Sequence, residues 1–358
     1  MAWCPAYPVH PVRLVQSMEE WLVETGKLSP GDLERIVFPY LGVRRPDVLV
    51  RAAVGEDSAI IDFGEWVCVI STDPITGATK NAGWLVVHVS CNDVAANGAE
   101  PVGVLVTVLL PEKAGEEDLR NLMEEVHRAA GELGIEVLGG HTEVTPGLAS
   151  TIVSATAVGK APKDRYVVSS GARAGDALVL TKSAALEGTA ILATDFEDRL
   201  RGVLGADLLA RAQAFRREIS VVAEGLAAAA MGATAMHDAT EGGVLGAVHE
   251  MVTSAGMGVE LWVDAVPIRG ETRAVCGFFH ADPLKLVSSG SMLIACPDGD
   301  GMVKGLSAHG IQSAVIGRVT PPELGRWVIS GGERRELEPS YRDELWRILE
   351  TGRGSAGR

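Results

Sequence analysis

The chain has 358 residues, 47% hydrophobic and 22% charged, with a formal net charge of −15. That length supports a large core divided between two domains, and that charge excludes a nucleic-acid backbone as the main ligand. A polyanion such as ATP would need a metal to offset the local repulsion. Five cysteines (Cys4, Cys68, Cys91, Cys276, Cys296) are an odd number with no Cys-x-x-Cys spacing, so a reduced, cytoplasmic compartment is expected. No run reaches about 18 uninterrupted apolar residues, so no membrane span is expected. Met1-Ala2-Trp3-Cys4-Pro5 lacks the basic-then-apolar order of a secretory signal.

Residues 1–50 read as an arm with two short helices. Ser17 and Glu20 make a capping-box pattern before Trp21 and Leu22, and Ser29-Pro30-Gly31-Asp32 opens a second helix with Pro30 at its first position. Val- and Ile-rich strands follow at 58–62, 67–72, 102–110, 135–138 and 151–158. Residues 84–98 predict a helix that is apolar nearly all round, a pattern that belongs inside a core. Residues 116–133 are amphipathic, with Leu119, Leu122, Met123, Val126, Ala130 and Leu133 in one stripe and Gly134 suited to end the helix. Residues 160–175 read as a polar connector.

A second α/β unit begins with a strand at 177–181. A helix carrying Phe215, Ile219, Val222 and Leu226 ends near Gly232, and a strand then leads into His237. A helix at 244–254 and strands at 292–296 and 313–319 complete it, and residues 351–358 are expected to be disordered. The expected divisions are an arm (1–50), an N-terminal domain (51–160), a C-terminal domain (161–322) and an extension (323–358).

The chemistry gathers at acidic corners flanked by glycine. Gly55-Glu56-Asp57 precedes one strand and Thr72-Asp73 ends another. Carboxylates gathered at strand ends suit a hard cation, and Mg²⁺ keeps part of its shell for phosphates. Read singly, the same residues are turn formers. Asn92 and Asp93 sit inside the apolar helix, where they cost helix propensity. A buried carboxylate needs a partner or a metal, and the structural alternative is a backbone amide.

Gly139-Gly140-His141-Thr142-Glu143 follows a short strand. Its glycines would let a phosphate approach the backbone, with His141 and Thr142 on phosphate and Glu143 on metal; otherwise it is a glycine turn with solvated side chains. Asp238-Ala239-Thr240-Glu241 fits an ordinary capping box. Gly242 and Gly243 fit less well, since glycine there costs about 1 kcal/mol each, and a helix start stripped of side chains suits an anion. His237 would hold a phosphate or move a proton. Lys182 reads equally as a phosphate contact or a surface lysine. Together these residues predict a Mg-nucleotide site. No P-loop, Gly-x-Gly-x-x-Gly, nucleophile elbow or zinc ligand set is present.

Five motifs in this order, Gly55-Glu56-Asp57-Ser58-Ala59, Thr72-Asp73, Asn92-Asp93 with Gly98-Ala99-Glu100-Pro101, Gly139-Gly140-His141-Thr142, and His237 to Gly243, resemble the AIR synthase-related superfamily of ATP-binding enzymes. Asp73-Pro74-Ile75-Thr76-Gly77 looks closest to the hydrogenase-maturation HypE type. The resemblance implies a two-domain PurM-like α/β (α+β) fold and a homodimer whose N-terminal sheets pair into a β-barrel, with ATP and Mg²⁺ beside that interface. It implies Asp57, Asp73 and Asp93 as metal ligands, with Asn92, Thr142 and Lys182 near the phosphates, and Asp238 and Glu241 closing the site. The implied chemistry phosphorylates or activates an amide or acid oxygen. HypE-type proteins end in a carbamoyl-carrying cysteine, whereas the last cysteine here is Cys296. The acceptor is therefore left open, and the alternative is a nucleotide-binding maturation accessory acting on a protein partner.

Overall fold

The computed structural model describes residues 26–75, 81–339 and 342–354. The Ser17–Glu20 capping pattern, Thr76-Gly77 and the last four residues lie outside them. Ser29 caps the first helical turn, α1 (Pro30–Asp32), through its hydroxyl, with Pro30 at the first position as the sequence predicts.

Six strands form the first sheet: β1 (Val48–Val50), β2 (Ala59–Phe63), β3 (Trp66–Ile75), β4 (Glu100–Leu110), β5 (Glu136–Val144) and β6 (Ile152–Pro162). Their order is β1-β2-β3-β6-β4-β5, and only β4 and β5 run parallel. Seven strands form the second: β7 (Ala177–Thr181), β8 (Ala235–Ala239), β9 (Gly258–Trp262), β10 (Ser291–Cys296), β11 (Ser313–Thr320), β12 (Arg326–Ser330) and β13 (Glu333–Glu336), ordered β13-β12-β9-β11-β7-β10-β8. The longer helices are α2 (Ala82–Ala96), α3 (Glu116–Leu133), α4 (Leu186–Asp195), α5 (Glu197–Leu204), α6 (Ala206–Ala214), α7 (Val222–Ala230), α8 (Gly243–Ser254), α9 (Gly270–Phe279), α10 (Gly299–Ala308) and α11 (Glu344–Gly354). No helix among the described residues is long and apolar enough to cross a membrane.

The central element is α2, buried on nearly every side. It packs on the first sheet beside α3 and also against α7 of the second half. Glycine makes that second contact close: a Cβ on Gly225 would lie 2.2 Å from the Ala95 carbonyl oxygen. Ile219 belongs to the first domain's core and Ala96 to the second's, so the two halves share their hydrophobic interior.

Three expectations change. The Gly-Gly-His-Thr-Glu segment is no corner, because β5 continues through it to Val144. The helix expected from Phe215 to Leu226 is broken into a 3₁₀ turn (Phe215–Glu218) and α7. The break has a cause: Asn92 accepts the Val221 N–H at 2.8 Å and donates to the Ile219 carbonyl at 2.9 Å, drawing that segment onto α2. The expected disordered tail is helical as far as Gly354.

Candidate functional site

The two halves meet at an acidic cluster. Gly55 holds φ at +80°, and a Cβ there would lie 2.8 Å from the Glu250 carbonyl oxygen, so only glycine lets this turn press on α8. Glu56 fastens the junction, accepting the backbone N–H groups of Ser169 and Ser170 at 3.3 and 3.2 Å. Asp57 then faces His237 at the end of the second sheet. Asp57 Oδ1 lies 2.5 Å from His237 Nδ1, and Ser169 donates to Asp57 Oδ2 at 3.1 Å. On the far side of the ring, His237 Nε2 is 2.9 Å from Glu250 Oε2.

Strand alternation sorts β3. Ser71 turns toward α2, where its Oγ lies 2.5 Å from Asp93 Oδ2 and 3.0 Å from the Asp57 carbonyl. Asp73, two residues on, shares that side, and its charge acts on Asp93. Thr72 points to the open face of the sheet, where it meets Thr156 at 3.0 Å. Asp57, His237 and Asp238 offer ligand atoms that all lie within 4.8 Å of one another. Asp238 Oδ2 is buried with no hydrogen-bond partner among the described residues.

The electrostatics follow from this crowding. Burial lifts the Asp93 carboxyl well above its usual range, and the charges of Asp73, Asp238 and Asp57 lift it further. Asp238 is pushed up to about 7, first by burial and then by Asp57, while His237 and Lys27 oppose the rise. Burial alone would lower His237, yet Asp57 and Glu250 hold it well above the ordinary imidazole value. The ring stands between two carboxylates, its nitrogens 2.5 Å from Asp57 and 2.9 Å from Glu250. Buried acids that repel one another, one with an orphaned oxygen, are the donor set a hard cation completes. The imidazole, engaged at both nitrogens, orients Asp57 rather than serving as a ligand.

Other expected residues lie elsewhere. Asn92 is buried and both ends of its amide are taken by backbone, so it joins the domains. Lys182 lies 2.7 Å from Glu224 and donates to the carbonyls of Glu218 and Ser220. An ammonium has three donors, so all of them are occupied. Gly139, Gly140, His141, Thr142 and Glu143 lie on edge strand β5, three places from β3 and thus about 14 Å away within one chain. There His141 lies 2.9 Å from Glu143, and its hydrogen bond, with that of Thr145, holds Glu143 below the usual carboxylate range.

The Gly242-Gly243 turn has a packing reason. Gly243 has φ of +63°, and a Cβ would lie 2.6 Å from the Leu284 carbonyl oxygen. The anion on this helix start is internal: Asp343 accepts the Gly242 N–H at 2.8 Å. Glu241 accepts from the Trp346 indole at 2.9 Å and from the Lys27 backbone N–H at 3.2 Å. A cleft of about 500 Å³ opens between α2, α3 and α4, lined in part by Trp84, Leu85, Arg128, Ile191 and Arg217. Glu187 on its wall is lifted by burial and, further, by the charge of Glu241.

Sequence reasoning missed Ser71, Ser169, Glu250, Lys27 and Asp343. Glu250 carried a signal, as a carboxylate within the mostly buried helix α8, the same oddity that singles out Asp93. Asp343 carried the signal of a helix start, accepting the Leu345 N–H at 2.8 Å just before α11, but neither it nor Lys27 carried a signal of its distant contact at the site.

The family profile for the AIR synthase related protein N-terminal domain matches residues 55–161, and that for the C-terminal domain matches residues 173–328. The chain belongs to the AIR synthase-related family, and its two-domain fold is of the PurM-like type. Within that family it is similar to the carbamoyl dehydratase HypE of Azotobacter vinelandii, 32% identical over 75% of this chain and 79% of that one. It is also similar to the putative hydrogenase expression/formation protein MJ0676 of Methanocaldococcus jannaschii, 26% identical over 82% of this chain and 88% of that one. Among solved structures, the hydrogenase maturation protein HypE in complex with ATP superposes with a TM-score of 0.64 at 22% identity, covering 90% of this chain and 97% of that one.

Proposed function

We propose that the cluster binds ATP with Mg²⁺ and activates an amide or acid oxygen of an acceptor by phosphorylation. The observation that carries this reading is the gathering of Asp57 and Asp73 around buried Asp93 and Asp238, whose carboxyls burial and the neighbouring acids lift, with Asp238 Oδ2 left without a partner among the described residues. Relatives named as carbamoyl dehydratases, and a fold shared with a protein solved in complex with ATP, support it. When bound, Mg²⁺ would neutralise phosphate charge and hold the phosphates in register. The carboxylates of Asp57, Asp73, Asp93 and Asp238 would hold that cation. His237, placed between Asp57 and Glu250, would orient Asp57 for it. The acceptor's place is the cleft next to Glu187, where Trp84 and Leu85 offer an apolar wall and Arg128 and Arg217 offer charge.

A homodimer belongs to the same proposal. The open face of the first sheet exposes Val102, Leu105 and Leu138, each 41–46% accessible, and apolar faces of that kind mark contacts. The four described cysteines are free, in keeping with a reduced, cytoplasmic setting.

The test is calorimetric titration of ATP with and without Mg²⁺. Wild type binds only with Mg²⁺, and Asp73→Asn loses at least about tenfold in affinity, the range for removing a charged partner. Mg²⁺-independent binding, or an unchanged variant, contradicts the reading. The kinship to a hydrogenase expression/formation protein favours a second reading, an accessory that binds nucleotide and acts on a protein partner. Steady ADP release with a small acceptor and no partner protein would exclude it.

A further inference from the structure

The two ends of the described chain, both outside the family match, converge on one corner of the site. Gly26 has φ of +116° and presses its Cα on the Trp346 indole, where a Cβ would lie 3.1 Å from Nε1. The Trp346 indole and the Lys27 backbone N–H both donate to the carboxylate of Glu241. The arm is therefore pinned at the residue next to Lys27. From this anchor the Lys27 side chain reaches the cluster, and its Nζ donates to Thr240 Oγ1 at 3.3 Å.

Among the described residues Lys27 makes no ion pair within 4.0 Å, unlike Lys182, whose three donors are all engaged. Its ammonium instead stands in the shared field of Glu250, Glu241, Asp73 and Asp238, which outweighs the opposing desolvation and keeps it charged. Lys27 is also exposed, so a ligand entering the cluster can meet it. Among the described residues Thr240 takes one of its three donors, which leaves two for that ligand.

We propose that Lys27, carried in by the N-terminal arm, is the cation that contacts the nucleotide phosphates at this site, the role sequence analysis offered to Lys182. The inference rests on the nucleotide reading above and adds a residue to it. A phosphate chain placed on the acid cluster brings more negative charge to a chain already at −15, and an ammonium with free donors at its rim offsets part of that charge.

The test uses the full chain as wild type, Lys27→Met and Lys27→Arg, titrated by calorimetry with ATP plus Mg²⁺, with adenosine, and with Mg²⁺ alone. The Lys27→Met variant should bind Mg-ATP about 10- to 100-fold more weakly, the loss of one charge-assisted hydrogen bond. The Lys27→Arg variant should recover most of that affinity. Adenosine affinity should not change, because adenosine brings no phosphate for the ammonium to meet. Wild-type affinity for Mg-ATP in Lys27→Met overturns the inference and leaves the nucleotide reading standing. Unchanged ATP affinity with tighter Mg²⁺ binding also overturns it, by making Lys27 a placeholder for the metal. Failure of wild type itself to bind Mg-ATP removes both.

Discussion

Replacing Asp93 with Asn is expected to stabilise the unliganded protein and to abolish its response to Mg²⁺ and ATP. Asp93 sits in α2 at 8% accessibility, with Asp73, Asp238 and Asp57 acting on it. An amide removes the charge these acids repel, and its oxygen still accepts from Ser71. The sign with pH follows from the raised pKa. A carboxyl that holds its proton more tightly when folded contributes its full stability below the unfolded pKa. That contribution is lost as pH rises through the folded value. The stability gap between variant and wild type should therefore widen from acid toward neutral pH, reaching about 0.5–2 kcal/mol. Urea melts across that range measure it, and the same melts with Mg²⁺ and ATP should stabilise wild type alone. A variant that is less stable yet still responds to nucleotide would make Asp93 a structural residue.

Gly140→Ala is expected to be far more damaging than Gly139→Ala. Both residues hold φ near +150°, a region that an L side chain enters at about 1–3 kcal/mol. They differ in surroundings. A Cβ on Gly139 would lie 3.6 Å from Leu105 Cδ2, an ordinary contact. A Cβ on Gly140 would lie 1.8 Å from the Val106 carbonyl oxygen, on the neighbouring strand in register. β4 and β5 cannot stay paired around that overlap, and a total loss of about 3–5 kcal/mol is expected. Chemical denaturation of the two variants measures the difference. Equal stability, with nucleotide binding lost in both, would instead favour glycines that serve a phosphate.

These glycines show where sequence reading stopped. The run Gly139 to Glu143 looks like a corner because paired glycines usually make one. Here they let a parallel pair of strands approach, and only the register with Val106 reveals it. The same limit hid α4, whose Leu186, Glu187, Gly188, Thr189 and Ala190 are all buried and so carry no amphipathic period. Where one face met solvent the reading was sharp. The stripe at 116–133 marks both ends of α3, and Gly134 closes it at φ +67°.

The site divides in the same way. Asp57, Asp73 and Asp93 stood out because carboxylates beside apolar runs need a reason, and the structure brings them together. Asn92 stood out equally, but it serves backbone groups of the other domain. Lys27 and Asp343 reach the Thr240–Gly243 corner from more than 200 and about 100 residues away. No local pattern records such contacts.

The most direct test replaces Mg²⁺ with Mn²⁺ and reads the phosphorus NMR relaxation of bound ATP in wild type and Asp57→Asn. If the acid cluster holds the metal against the phosphates, relaxation in wild type is strongly enhanced over free Mn-ATP, and the enhancement is lost in the variant. An equal enhancement in both proteins, or none in either, would contradict a metal–nucleotide site at Asp57, Asp73, Asp93 and Asp238.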